Sequence, residues 1–289
     1  MTAESATAPA TESAKRCAVL GSPIAHSLSP VMHRAAYRAL GLDWTYEAVD
    51  TAEDELPSVL NRRDEHGGPY WAGLSLTMPL KRVVLDHVDE RSQTTRALGV
   101  ANTVVFSDGL RKAHNTDVPG AVAALTEARA DRIVTARILG GGATAASAAY
   151  AVSRLGATHI EFRVRAPERA AAAAEFARGR GAHVEVTPLH RPMLNVVDVV
   201  VSTVPDSAIG TRAHELVDAA DVIFDAVYEP WPTHLARAAQ ERGRTLIGGL
   251  DLLAHQAARQ IRLMTGQDVE AQFLREAARE ELNRRHSRS

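Results

Sequence analysis

The chain has 289 residues, of which 45% are hydrophobic and 24% are charged, and its formal net charge is -2. This balance is typical of a globular protein and disfavours nucleic acid or an anionic membrane surface as a partner. No apolar run reaches the ~18–20 residues that a membrane-spanning helix needs. The single cysteine, Cys17, excludes an internal disulfide. These features predict a soluble, cytoplasmic protein.

Residues 1–15 are rich in Ala, Thr, Ser and Glu, with neither an apolar core nor a basic start. They predict a disordered tail rather than a signal peptide. The strands predicted next are Cys17–Leu20, Trp44–Val49, Leu74–Thr77 and a hairpin of Thr103–Phe106 and Leu110–His114. The predicted helices are Val31–Leu40, capped by Ser29 with Pro30 in its first turn, and Pro79–Val88. Residues 16–118 are therefore expected to form an α/β domain with a mixed sheet.

A second alternation of helices and strands begins near Pro119. The predicted strands are Ala136–Leu139, Ile160–Val164, a segment near Val184, Val197–Val201 and Val222–Val227. Helices are predicted from Pro119 to Ala128, after the glycines up to Gly156, and from Pro167. The run VDVVVST is apolar on both faces, as in a parallel sheet covered by helices on each side. Residues 119–249 are thus expected to form a doubly wound, Rossmann-like domain.

Two closing helices, Leu250–Met264 and Val269–Leu282, contain no strand pattern between them. We expect residues 250–289 to return to the amino-terminal domain, with at least the first helix packing near it. The chain is therefore predicted to consist of two domains, the first built from both ends of the sequence.

The glycine run after the strand Ala136–Leu139 indicates a dinucleotide site. Gly140, Gly141, Gly142, Ala143 and Thr144 connect this strand to a helix. Glycines here allow a tight turn and close approach of backbone N–H groups to a pyrophosphate, and the helix N-terminus adds partial positive charge. A tight strand–helix turn without a ligand is the alternative explanation, but the strand-turn-helix context favours a nucleotide.

The end of the next strand favours NADP over NAD. Arg163, Arg165 and Arg169 stand where an NAD site would carry an acidic residue for the ribose 2′-hydroxyl. Guanidinium groups bind phosphate in a forked, bidentate geometry. The alternative is a basic helix start that is simply solvated, and Glu168 could partly neutralise the positive charge of the site.

Several polar residues of the first segment could act on a substrate, although each has an ordinary structural explanation. Ser27 and Ser29 could present two hydroxyls to one ligand, or serve only in helix capping. Lys81 is expected in the opening turn of a helix, where positive backbone ends suit acid–base work, although most lysines are simply solvated. Asn102 and Asp117, taken alone, are typical of turns and caps.

Taken together, the motifs resemble those of the shikimate dehydrogenase family. The ordered set is GSPIAHSLSP from Gly21, LTMPLK from Leu76, ANT from Ala101, NTD from Asn115, the glycine loop, DAVYEP from Asp225 and GLDLLAHQA from Gly249. The resemblance extends from Arg16 to about Gly266. It implies a substrate domain, an NADP-binding doubly wound domain and an active site between them. The implied activity is NADPH-dependent, reversible reduction of 3-dehydroshikimate to shikimate in the chorismate pathway to aromatic amino acids.

The resemblance also implies roles for individual residues. Lys81 and Asp117 match the catalytic pair. The matching substrate-binding positions are Ser27, Ser29, Thr77, Asn102, Tyr228 and Gln256. The matching cofactor positions are Gly140, Gly141, Gly142, Ala143, Thr144, Arg165, Arg169, Thr203, Ala226 and Gly249.

Other functions stay open at this point. A quinate or aminoshikimate dehydrogenase would share the Lys–Asp pair, and an inactive nucleotide-binding relative would keep the fold. The sequence has no basic stripe or aromatic platform for nucleic acid. His26, His33 and His255 form no recognisable ligand set, so no metal is expected. The expected state is a monomer or a homodimer that binds a small-molecule substrate.

Overall fold

The computed structural model describes residues 14–193 and 195–287. Residues 1–13 of the predicted disordered tail lie outside the described residues. Lys15, which was assigned to that tail, instead begins the first strand.

The first sheet is mixed and contains six strands. They are β1 (Lys15–Gly21), β2 (Trp44–Asp50), β3 (Gly73–Leu76), β4 (Glu90–Arg91), β5 (Thr103–Ser107) and β6 (Leu110–His114). Their order across the sheet is β2-β1-β3-β5-β6-β4. Strand β1 pairs in parallel with β2 and β3, whereas β5 is antiparallel to β3 and β6. The predicted mixed sheet with an antiparallel hairpin is confirmed, and the hairpin turns at Asp108 and Gly109, both with positive φ.

Four helices belong to this part of the chain. They are α1 (Ser29–Ala39), α2 (Leu56–Leu60), α3 (Leu80–Val83) and α4 (Gln93–Leu98). The helix predicted over Pro79–Val88 is wrong in its second half, because α3 tightens into a 3-10 turn at Val84. The β-branched pair Val83 and Val84 favours helix geometry only weakly, which is consistent with this change. The short helices α2 and α4 contain too few residues to show a helical period.

The cap of α1 also differs from the prediction. The helix begins at Ser29, and Leu28 occupies the N-cap position without a side-chain cap bond. The hydroxyl oxygen of Ser27 accepts the Ser29 N–H at 3.3 Å. Ser27 therefore supports the helix start, and the Ser29 hydroxyl is free of the capping role assigned to it.

The second sheet is parallel throughout. Its strands are β7 (Thr135–Leu139), β8 (His159–Val164), β9 (His183–Pro188), β10 (Val197–Ser202), β11 (Ala220–Asp225) and β12 (Thr245–Ile247). Their order is β12-β11-β10-β7-β8-β9, which confirms the doubly wound prediction. The order reverses between β7 and β10, and ligands of such sheets bind at the carboxyl ends of the strands at this switch point.

Helices cover both faces of this sheet. They are α5 (Asp117–Glu127), α6 (Ala143–Arg154), α7 (Ala171–Gly179), α8 (Ala213–Asp218) and α9 (His234–Glu241). Residues from α5, α6 and α7 share one buried cluster with Ile138 and Phe162, and α8 and α9 share another with Val200 and Ile223. The helix predicted from Pro167 starts as a 3-10 turn, and α7 begins only at Ala171.

The closing helices are α10 (Gly249–Thr265) and α11 (Ala271–His286). Both pack on α1, where Met32 shares a buried cluster with Ile261 and Leu274. Helix α10 also crosses α5, so it contacts elements associated with both sheets. Among the residues described, no helix is long and apolar enough to cross a membrane.

Candidate active site

A cavity of about 290 Å³ lies between the two sheets. All eight residues predicted to be catalytic or substrate-binding line it: Ser27, Ser29, Thr77, Lys81, Asn102, Asp117, Tyr228 and Gln256. They come from separate places in the sequence: Lys81 lies in α3, Asp117 in α5 and Gln256 in α10. The fold brings all eight to this cavity. Its size suits a small organic molecule rather than a polymer.

Lys81 and Asp117 form an ion pair that faces this cavity. The Lys81 Nζ donates to Asp117 Oδ2 at 2.6 Å, and the side chains are 15% and 7% exposed. Lys81 stands in α3, directly after the turn at Pro79, and Asp117 begins α5. A carboxylate at a helix N-terminus is stabilised by the helix dipole. The pair places an ammonium group where it can donate a proton to an oxygen of a bound molecule.

Asn102 holds the other oxygen of Asp117. Its Nδ2 donates to Asp117 Oδ1 at 2.8 Å, and its Oδ1 accepts the backbone N–H of Thr116 at 2.7 Å. Since a backbone N–H can only donate, the orientation of the Asn102 amide is determined by its neighbours. Gln256 completes the group, with its Oε1 at 3.2 Å from Asn102 Nδ2. Both oxygens of Asp117 are therefore fixed before any ligand binds.

A second set of hydroxyls, those of Ser27, Ser29 and Tyr228, lines the same cavity. Ser29 is buried, while Ser27 and Tyr228 are half-buried. Burial raises the pKa of the Tyr228 phenol, so this side chain stays a neutral donor. Tyr228 lies shortly after the end of β11. At that end, Asp225 accepts a hydrogen bond from Thr233 Oγ1 at 2.6 Å. Three hydroxyl donors can together satisfy a carboxylate.

A larger cavity of about 560 Å³ adjoins the first. It is lined by eight of the ten predicted cofactor residues: Gly140, Gly141, Gly142, Ala143, Thr144, Arg165, Arg169 and Thr203. The other two, Ala226 and Gly249, line the first cavity. Thr77, Lys81, Thr144 and Thr203 line both, so the two spaces meet beside the Lys81 ammonium.

The glycine loop lines this cavity, and two of its glycines pack closely against neighbouring residues. Gly140 has a φ of +114°, and a Cβ there would lie 2.4 Å from Thr203 Oγ1. A Cβ at Gly141 would lie 2.7 Å from the Arg169 main chain, whereas one at Gly142 would meet nothing within 4 Å. Helix α6 starts at Ala143 without a side-chain cap, so its first N–H groups remain available. An anionic group such as a pyrophosphate fits this position.

The three arginines after the loop have different surroundings. Arg163 is buried, and its Nε donates to Glu161 Oε1 at 2.8 Å. Of these three arginines, only Arg165 and Arg169 are exposed, and both line the larger cavity. Arg163 lies within β8, whereas Arg165 follows the end of the strand at Val164, so the sheet does not bury Arg165.

Sequence reasoning did not identify Ser75 and Gln260, which are buried and line the first cavity. Gln260 lies four residues after Gln256 on α10, so the two share a helix face, and this spacing could have identified it. Arg82 also lines the larger cavity. Over residues 14–193 and 195–287, no group of three or more His, Cys, Asp or Glu is arranged to hold a metal.

Comparison with known proteins agrees with this geometry. Residues 19–104 match the family model described as the shikimate dehydrogenase substrate binding domain. Residues 249–279 match that of the shikimate 5'-dehydrogenase C-terminal domain. A shikimate dehydrogenase (NADP(+)) from Thermus thermophilus is 36% identical over 269 residues, which cover 92% of this chain and 98% of that protein.

Solved structures give the same result. The crystal structure of Mycobacterium tuberculosis shikimate dehydrogenase matches with a TM-score of 0.84 and 38% identity, over 92% of this chain and 99% of that one. A Thermus thermophilus shikimate 5-dehydrogenase in complex with NADP(H) and shikimate matches with a TM-score of 0.76 and 31% identity, over 92% and 99% of the two chains.

Proposed function

The chain belongs to the shikimate dehydrogenase family, and we propose that it catalyses the reversible, NADPH-dependent reduction of 3-dehydroshikimate to shikimate. The observation that carries this proposal is the Lys81–Asp117 pair at the junction of the two cavities. NADPH, when bound, supplies the hydride that forms the new C–H bond. In the pathway that leads to chorismate and the aromatic amino acids, this reaction produces shikimate.

We assign proton transfer to Lys81. As the ketone is reduced, negative charge develops on its oxygen, and the Lys81 ammonium stabilises that charge and donates the proton that completes the hydroxyl. Asp117 holds the ammonium through the 2.6 Å contact and is itself oriented by Asn102. The pair is assembled in advance, so little reorganisation is needed during the reaction.

The remaining assignments are supported by the residues that line the smaller cavity. Ser27, Ser29 and Tyr228 are proposed to bind the substrate carboxylate, because they line the smaller cavity and not the larger one that the glycine loop lines. Ring hydroxyls are assigned to Thr77, Asn102, Lys81, Asp117 and Gln256.

The cofactor is proposed to occupy the larger cavity. Gly140–Thr144 would hold its pyrophosphate, since the loop lines the cavity and the first N–H groups of α6 have no side-chain cap, and Arg165 with Arg169 would bind the 2′-phosphate. Thr203, Ala226 and Gly249 are assigned to the nicotinamide end. A Cβ at Gly249 would lie 2.6 Å from the Ala226 carbonyl oxygen, so glycine is required for this close packing.

The domain division is also proposed. Residues 16–118 with 250–289 would form the substrate domain, and residues 119–249 the cofactor domain. The separate sheets support this division, and α5 joins them because it begins at Asp117 and packs with α6. A cytoplasmic location is supported by Cys17, a buried thiol without a disulfide partner. A monomer or homodimer is proposed, and light scattering would measure it.

The test is a four-way assay of purified protein, with shikimate or quinate offered together with NADP or NAD and the reduced nicotinamide followed by absorbance. Fast turnover confined to shikimate with NADP is the expected result. Preference for quinate or NAD would keep the Lys–Asp chemistry but overturn the substrate or cofactor assignment. Absence of turnover with all four pairs would contradict the proposed reaction and direct attention to an amino analogue.

A further inference from the structure

Gln260 is a buried, fully hydrogen-bonded side chain near the catalytic pair, although it bonds to neither member of it. It is 1% exposed. Its Oε1 accepts from Ser75 Oγ at 2.9 Å and from His33 Nε2 at 3.3 Å. Its Nε2 donates to the Asn102 carbonyl oxygen at 3.2 Å and to Thr103 Oγ1 at 3.1 Å. The amide therefore uses both of its donors and both of its acceptor positions.

The outer end of this network is rigid. Tyr46 donates its hydroxyl hydrogen to Ser75 Oγ at 2.6 Å, so the Ser75 hydrogen is directed to Gln260. The ring of His33 stacks on Tyr46 with 4.0 Å between centroids. Burial lowers the pKa of His33 to about 3, so the ring is neutral at ordinary pH. Its Nε2 then carries the hydrogen donated to Gln260, and its Nδ1 faces the Tyr37 hydroxyl at 3.4 Å.

The inner end leads to the catalytic pair. Because Thr103 Oγ1 accepts from Gln260, its own hydrogen goes to Asn102 Oδ1 at 3.0 Å. That bond marks Oδ1 as the acceptor side of the Asn102 amide, so Nδ2 is the side that meets Asp117. In each hydrogen bond of the series from Gln260 to Asp117, the donor and the acceptor are therefore determined.

We propose that Gln260 is a positioning residue, which fixes Asn102 through Thr103 and so holds Asp117 and Lys81 in their reactive geometry. This inference rests on the proposed function, because it concerns the rate of the same reaction. Gln260 bonds to no residue of the pair; it reaches Asn102 directly, at the Asn102 carbonyl oxygen, and also through the Thr103 hydroxyl. A misplacement of about 1 Å in such a group can cost ~10²-fold in rate.

The experiment removes two successive links. Gln260→Met keeps the side-chain length and loses all four hydrogen bonds, while Thr103→Val keeps the shape and loses one link. Each is expected to lower kcat about 10- to 100-fold and to change the shikimate KM by less than about threefold. The double variant should lose less than the product of the two single losses, because both substitutions act on the same residue, Asn102.

Matched controls are available away from the cleft. Gln240→Met changes an exposed glutamine of α9, and Thr187→Val changes a buried threonine that donates to Glu161 at 2.9 Å. Neither should alter kcat. If Gln260→Met does not fold, Thr103→Val alone decides the question. A kcat within twofold of wild type for a folded Gln260→Met or Thr103→Val variant, or additive losses in the double variant, would overturn the proposal.

A second measurement separates this inference from the proposed function. The side-chain amide protons of Asn102, observed by NMR in asparagine-labelled protein, report its orientation without turnover. Displaced or broadened signals in Gln260→Met support the positioning role, even if wild-type protein does not oxidise shikimate. Unchanged signals contradict it, whatever substrate the enzyme uses.

Discussion

Replacing Gly120 with alanine tests how closely two helices must approach to form the site. Gly120 is buried in α5, where α10 crosses it. A Cβ at this position would lie 2.9 Å from the Gln256 backbone nitrogen, 3.0 Å from its Cβ and 3.1 Å from its Cα. None of these atoms is the flexible end of a side chain, so the helices must move apart.

The magnitude follows from two opposing effects. Alanine in a helix is favoured over glycine by about 1 kcal/mol. Overpacking of a tightly packed contact costs about 1–3 kcal/mol. Since the clash here involves the main chain of Gln256, we expect overpacking to prevail and the free energy of unfolding to fall by up to about 2 kcal/mol.

Function should change as well, because Gln256 would shift with α10. Its Oε1 lies 3.2 Å from Asn102 Nδ2, a contact that even a small displacement breaks. Loss of one such hydrogen bond is worth about 0.5–1.5 kcal/mol, so the shikimate KM should rise about two- to tenfold.

Urea unfolding and steady-state kinetics measure both effects. Gly179→Ala is the control, since Gly179 ends α7, is exposed and has nothing within 4 Å of an added Cβ. That variant should gain about 0.4–1 kcal/mol and keep the wild-type KM. If Gly120→Ala were as stable as Gly179→Ala, with an unchanged KM, the close helix crossing would not be what sets the site.

Three further predictions concern single residues. Lys81→Ala should lower kcat by ~10²–10⁴ with a much smaller rise in KM, measured by steady-state kinetics; equal changes in both would mean that Lys81 mainly binds substrate. Arg165→Ala should raise the NADP KM by about 10- to 100-fold and leave the NAD KM unchanged, and a parallel rise in both would contradict its role at the 2′-phosphate. His33 has a folded pKa of about 3, below the ordinary 6.5, so its contribution to stability is complete above pH 6.5 and is lost as pH falls toward 3. The urea midpoint of His33→Phe should therefore fall less steeply than that of wild type between pH 6.5 and 4, and parallel curves would refute this assignment.

Much of the fold can be predicted from local sequence because its signals repeat within a few residues. Alternation predicts β2, a run that is apolar on both faces predicts β10, and glycines between a strand and an alanine-rich helix predict the loop at Gly140. The short elements α2, α4, α8, α9 and β12 escaped prediction because they contain only three to eight residues each. Over such lengths a helical or strand period is not distinguishable from loop.

The sequence by itself determined the order of the longer strands and helices, the glycine loop and, through family motifs, which polar residues could act. Only the tertiary structure decided which of them meet. Lys81 and Asp117 are separated by 36 residues, and the β5–β6 hairpin brings them into contact. Gln260 reaches Asn102 across 158 residues because α10 returns to the first sheet. Arg163 and Arg165 are alike in sequence, but in the structure Arg163 is buried and Arg165 is exposed. Such contacts depend on sheet register and helix packing, which join residues far apart in the chain and leave no period within it.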